Sequence, residues 1–353
     1  MKGAAMIRAK GVMRAAVVAA LVCVALVSAA SAAVVIETVP VGNTGNTGEL
    51  SGGEGLERIC GAVDYEYHIG KYEVTAGQYT AFLNAVAVTD TYGLYNTDMW
   101  SGYYGGGCKI QRTTTGSGYS YSVASDWANR PVNYVSFWDA CRFANWLHNG
   151  QPTGVQDATT TEDGAYTLNG YNGTDGRDIQ RNPDWTWAVT SEDEWYKAAY
   201  HKNDGDTGNY FDYPTGTDSV PSNDLTTPDG GNNANFYDGG YTIGSPYYRT
   251  EVGEFENSES PYGTFDQGGN VCERNEAFVY WDEGEGWAYR AVRGGSFTYG
   301  YYLHAACRDY GGPTVEDEDL GFRVSEVPEP ATMSLLALGG LGMLMRRRRG
   351  ASS

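Results

Sequence analysis

The sequence predicts a single loop-rich domain whose regular structure comes in short pieces, and three observations predict it. The segment between Leu56 and Glu326 spans about 270 residues, large for one domain but acceptable where loops dominate. Gly, Asn, Asp, Ser and Thr punctuate it so often that helices and strands must be brief. Backbone polar groups then need partners in turns, side chains or ions. Only three stretches combine helical periodicity with an N-cap residue.

In chain order, residues 1–32 carry Lys2, Arg8, Lys10 and Arg14, an apolar run from Ala15 to Val27, and small residues ending Ala30-Ser31-Ala32. This is the anatomy of a cleaved secretory signal peptide, with an uncleaved anchor as the alternative. Residues 33–55 read as a flexible amino-terminal segment. The first helix is expected near Thr75, with Tyr79, Phe82, Leu83 and Val86 on one stripe. The second has Ser136 as N-cap and Asp139 three residues on, then Cys141, Ala144 and Leu147 on one face, with Gly150 beyond the end. The third starts at Ser191 with Glu194 at the matching position, followed by Trp195, Ala198 and Ala199. Trp146, Trp195, Phe82 and Tyr79 are expected in the core.

The formal charge of −20 becomes −24 without the four signal-peptide cations. A domain this acidic repels nucleic acid and anionic lipid and attracts divalent cations. Five cysteines remain, Cys60, Cys108, Cys141, Cys272 and Cys307, so at least one thiol is unpaired; Cys60 and Cys108 lie in loop-like surroundings where they could pair.

Six segments occur in a telling order: Glu73-Val74-Thr75 with Gln78-Tyr79 and Phe82-Leu83; Arg130-Pro131-Val132 through Ala144-Asn145-Trp146-Leu147; Thr190 to Trp195; Gly268 to Glu273; Arg293-Gly294-Gly295-Ser296-Phe297; and Leu320-Gly321-Phe322-Arg323. Together they resemble the formylglycine-generating enzyme, or sulfatase-modifying factor, family across nearly the whole of residues 56–326. The resemblance implies one α+β domain related to the C-type-lectin-like fold. Residues 327–349, with Val327-Pro328-Glu329-Pro330, an apolar stretch to Met345 and Arg346 to Arg349, resemble a PEP-CTERM sorting signal. That implies recognition by exosortase-type machinery, membrane contact through the carboxy-terminal helix before processing, and export to the cell envelope, outer surface or extracellular matrix. The apolar stretch is short for a stable span, so a simple tail anchor is the weaker alternative.

The resemblance also implies a structural calcium held by hard oxygen donors, which carry over to Asp266, the carbonyls of Gly269 and Val271, and Glu273. A second calcium site would begin at Asn235 and Phe236. The aerobic family enzymes bind copper through two cysteines just after R-G-G-S. Those positions fall here on Tyr299 and His304, or in the other register on Gly295 and Gly300, so copper is not expected and no catalytic residue is assigned. Cys307 reads as a buried structural thiol. Cys272-Glu273-Arg274 replaces W-E-W, which calls for local repacking. Gly294 and Gly295 are expected to allow an unusual backbone geometry, and Arg293, Arg308 and Arg323 to meet buried carboxylates or carbonyls.

The four histidines, His68, His148, His201 and His304, lack facial-triad spacing, and no phosphate-binding, serine-hydrolase or zinc-protease motif occurs. Two readings stay open. One is an exported, calcium-stabilised module that binds polysaccharide or an envelope protein, its tyrosines suited to stacking. The other is an oxidoreductase with an altered metal site.

Overall fold

The first helix forms because Thr75 and Gln78 satisfy each other's backbone amides in a capping box, and the same device opens the other two. Thr75 precedes α1 (Ala76–Val86), Ser136 with Asp139 precedes α2 (Phe137–His148), and Ser191 with Glu194 precedes α3 (Glu192–Tyr200). Each box pairs two otherwise unsatisfied amides of the first turn. The chain past α2 turns at Gly150, whose φ of 79° favours glycine. This computed structural model describes residues 33–327 apart from 54 and 103–105. The signal-peptide segment and the sorting signal beyond Val327 lie outside the described residues.

The strands are short and their partners distant. One antiparallel sheet has the order β1 (Thr38–Val41), β4 (Tyr67–Gly70), β12 (Val324–Glu326), β7 (Trp187–Val189). The second has the order β10 (Asp309–Gly311), β9 (Trp287–Arg293), β8 (Cys272–Asp282), β11 (Leu320–Gly321), with β11 parallel to β8. Two hairpins complete the fold: β2 (Glu49–Ser51) with β3 (Arg58–Cys60), and β5 (Gln111–Thr115) with β6 (Gly118–Ser122). The architecture is α+β.

Residues 33–55, expected as a flexible segment, hold β1 and β2. Val39 faces Ile69 across the first sheet, and Leu50 faces Ile59 in the hairpin. Their order comes from partners up to about thirty residues away, which no local pattern announces.

The main core lies between α1, α2 and the first sheet. Phe82, Phe143, Trp146 and Phe322 interlock with ring centroids 5.3–5.7 Å apart, so the Gly321-Phe322-Arg323 segment contributes its aromatic ring here. A second cluster gathers Trp195, Tyr196 and Tyr200 of α3 with Cys60 and Tyr210. All five cysteines of the described residues are free thiols. Cys60 and Cys108 sit in different clusters, so the pairing suggested by their loop-like surroundings does not form.

Candidate functional site

Glu192, in the first turn of α3, is a hub. Its carboxylate accepts hydrogen bonds from Arg58 at 2.7 Å, Arg293 at 2.8 Å and Arg308 at 2.7 and 2.8 Å. Burial by itself would raise its pKa; Arg293, Arg308 and Arg58 overcome that and hold it at about 2. Arg293 also donates to the Cys307 carbonyl at 2.6 Å and to Ser51 Oγ at 2.9 Å, and Arg308 donates to the Leu56 carbonyl at 3.1 Å. The planar guanidinium forks thus tie β3, β9 and the 305–309 segment to one buried anion.

That segment walls a cleft of about 680 Å³, lined among others by Tyr280, Tyr301, Tyr302, Tyr310, Cys307 and Asp309. Its size falls within the usual range for ligand sites. The strands set the aromatic wall. Tyr280 and Tyr289 are a cross-strand pair of β8 and β9, their rings stacked 4.7 Å apart, and Tyr310 on β10 meets both edge-on at 5.0 and 5.3 Å. Trp287 extends the stack at 6.0 Å from Tyr289. Tyr301, 76% exposed, also lines the cleft.

Cys307 lines this cleft and also an adjoining apolar cavity of about 390 Å³ beside Phe236, Leu303 and His304. It is part-exposed, whereas the other four thiols are buried. The expectation of a buried structural Cys307 is therefore corrected: Ala305 and the Arg308 side chain turn inward, and Cys307 is left at the cleft edge. Partial burial still raises its pKa, and a bond from the Tyr301 hydroxyl works against that.

The second place of interest is the loop entering β8. Asp266, Gly269 and Asn270 all have positive φ, at 60°, 84° and 58°. A Cβ at Gly269 would lie 2.2 Å from the Asn235 carbonyl, so only glycine fits. Asn270 Oδ1 accepts from Asn235 Nδ2 and from the Thr250 amide, holding the loop. Glu273 accepts from Arg323 at both oxygens, each at 2.6 Å, and from the Trp195 indole at 2.8 Å. One Asp266 oxygen accepts from the Gly253 amide at 2.6 Å. Burial pushes Asp266 up to about 6. Glu73, 1% exposed, takes no hydrogen bond from another residue among the described residues; burial, then Asp266 and Glu273, drive its pKa well up.

These donors are hard oxygens, and three carboxylates, Glu73, Asp266 and Glu273, act on one guanidinium, Arg323. The carbonyls of Gly269 and Val271 accept no hydrogen bond among the described residues. The set fits a hard cation, with Glu273 largely committed to Arg323. Among the described residues no three His, Cys, Asp or Glu side chains form a metal group by themselves, so a cation here also depends on main-chain oxygens. At the second set, the Phe236 carbonyl accepts from Asn223 and Thr242, and Asn235 Oδ1 has no hydrogen-bond partner among the described residues.

The profile of the sulfatase-modifying factor enzyme 1-like domain matches residues 47–327. The chain belongs to this family. The PEP-CTERM protein-sorting motif matches residues 326–349, which makes this sulfatase-modifying-factor-like protein an exported one, recognised by exosortase-type machinery and sorted to the cell envelope. No curated protein matches the chain. Among solved structures, CarF is 21% identical, covering 84% of this chain and 99% of its own, with a TM-score of 0.48. Treponema denticola variable protein 1 is 19% identical, covering 82% and 95%, also at 0.48. PvdO from Pseudomonas aeruginosa is 18% identical, covering 83% and 95%, at 0.44.

In this family member the two registers of the copper-binding cysteines fall around the R-G-G-S turn. Gly294 and Gly295 there have φ of 93° and 69°, and a Cβ on either would come 2.6 Å from a carbonyl oxygen. Tyr299 is exposed, and His304 Nδ1 accepts from the Ala306 amide at 3.0 Å. Arg274 is fully buried and donates to the carbonyls of Val135, Gly312 and Val315, and burial lowers its pKa to about 10. Cys272 is buried with its pKa driven up by desolvation, which makes it a poor nucleophile. Sequence reasoning missed Glu73, Glu192 and the Tyr280–Tyr289–Tyr310 wall. The spacing of Tyr280 and Tyr289 about a Gly-containing turn could have signalled a cross-strand pair.

Proposed function

We propose that this protein is a calcium-stabilised binding module at the outer surface or in the extracellular matrix, and that its Tyr-walled cleft takes a polysaccharide chain. One observation carries the reading: the stacked faces and edges of Tyr280, Tyr289 and Tyr310 beside a cleft of about 680 Å³. Flat aromatic rings with hydroxyl tips offer both the apolar face and the polar handle that a sugar ring needs. Cys307, the single part-exposed thiol among the described residues, lines the same cleft and offers a probe of its occupancy.

The test uses the secreted mature protein in calcium buffer against a polysaccharide panel, read by calorimetry and by maleimide labelling of Cys307. Saturable binding that shields Cys307 supports the module. Binding only to envelope proteins, with Cys307 unshielded, overturns the polysaccharide assignment. Stoichiometric copper or iron in the purified protein overturns the module in favour of an oxidoreductase with an altered metal site.

A further inference from the structure

We propose that Glu73 supplies the free carboxylate of a calcium site at the Asp266–Val271 loop, while Glu273, the acid that the family motif singles out, serves as the anchor of Arg323. The proposal rests on the calcium reading above and assigns its ligands differently.

The argument starts from what each oxygen already does. Glu273 is buried and accepts three charge-assisted or indole hydrogen bonds, from Arg323 twice and Trp195 once. Four lone-pair sites less three leaves one, too little for the bidentate hold that a lone calcium glutamate commonly gives. Arg323 is equally committed: beyond Glu273 it donates to the carbonyls of Gly70, Lys71 and Phe265. It has no fork left for a second carboxylate.

Glu73 is the opposite case. Its charge is felt at Arg323 together with those of Glu273 and Asp266, yet neither of its oxygens takes a hydrogen bond from another residue among the described residues while it is 1% exposed. A buried carboxylate with nothing to bond is costly, and interiors supply such groups with a counter-charge. The nearby lysine does not provide one: Lys71 Nζ lies over the rings of Tyr72 and Phe265 at 5.2 and 5.3 Å. Asp266 adds a second carboxylate with one oxygen beyond its Gly253 bond, held at positive φ beside the unbonded carbonyls of Gly269 and Val271. Two carboxylates and main-chain carbonyls are an all-oxygen donor set of the kind calcium takes.

The experiment compares the mature protein with E73Q, E73D and E273Q, each stripped with chelator and then titrated with calcium chloride. The readouts are calorimetry, thermal melting, and terbium luminescence sensitised through Trp195. Wild type is expected to bind and to melt higher with calcium. E73Q is expected to fold, to melt no lower than stripped wild type, and to lose roughly tenfold or more in calcium affinity. E73D keeps the charge and retains binding. E273Q melts lower with and without calcium alike, because Arg323 loses its partner. E73Q binding like wild type overturns the role of Glu73 alone; a wild type that binds neither ion overturns the calcium reading with it.

Discussion

Replacing Glu192 with Gln tests the hub that holds the cleft wall. The carboxylate has a pKa of about 2 in the folded protein against 4.5 in the free side chain. At 1.36 kcal/mol per unit, the difference contributes about 3 kcal/mol of stability. Because the folded value is the lower one, that stability is present above pH 4.5 and is lost as pH falls through about 2. E192Q leaves Arg293 and Arg308, both nearly inaccessible, without an anion, whereas Arg58 is one-third exposed and keeps its pair with Asp193. Breaking a buried pair in this way costs about 3–5 kcal/mol. For a domain of this size that corresponds to a melting temperature lower by about 6–15 °C. The assay is denaturant unfolding of wild type and E192Q from neutral pH to pH 2. The variant is expected to be weaker at pH 7 and to converge on wild type at the acid end. A neutral-pH deficit below about 1 kcal/mol, or one that persists unchanged at pH 2, would refute the hub.

Four further outcomes are expected. Burial, then Asp139, push Glu316 up to about 8, so its contribution is present below pH 4.5 and is lost as pH rises through about 8; E316Q, which mimics the protonated acid, should gain about 1–2 kcal/mol over wild type at pH 9 and little at pH 5, measured by thermal melts. Tyr310→Ala should weaken polysaccharide binding by about fivefold to tenfold with the melting temperature nearly unchanged, since its ring is at the surface of the stack. Gly294→Ala should destabilise by about 2 kcal/mol or more, because φ is 93° and the new Cβ meets the Gln267 carbonyl at 2.6 Å; an unchanged denaturation midpoint would count against this turn geometry. Maleimide should modify Cys307 and spare Cys60, Cys108, Cys141 and Cys272 until denaturant is added, which intact-mass spectrometry reads directly.

The three helices were legible because their signals are local. Thr75 with Gln78, Ser136 with Asp139, and Ser191 with Glu194 each close a capping box within one turn, and the apolar residues behind them repeat at the helical period. Arg293 and Arg323 could be read as buried forks for a similar reason: a long planar cation beside glycine and aromatic residues needs an internal anion. The family motifs likewise lie in contiguous strings, so membership was available without coordinates.

Tertiary structure decided the rest, because it depends on pairs far apart in sequence. Strands of two to five residues such as β2, β7 and β12 carry too few positions for alternation to show, and β12 exists because β4 and β7 flank it. The acid that each arginine meets was equally hidden: Glu192 lies 101 residues from Arg293, and Glu273 lies 50 from Arg323. That second pairing occupies Glu273, while Glu73 takes no hydrogen bond from another residue among the described residues. Cys307 reaches the cleft for the same reason. The sequence by itself determined the family, the carboxy-terminal sorting motif and the helix starts through short-range chemistry. Which carboxylate is free, which thiol is exposed and which tyrosines stack follow from long-range packing, where a charge or a ring has no partner until the chain brings one.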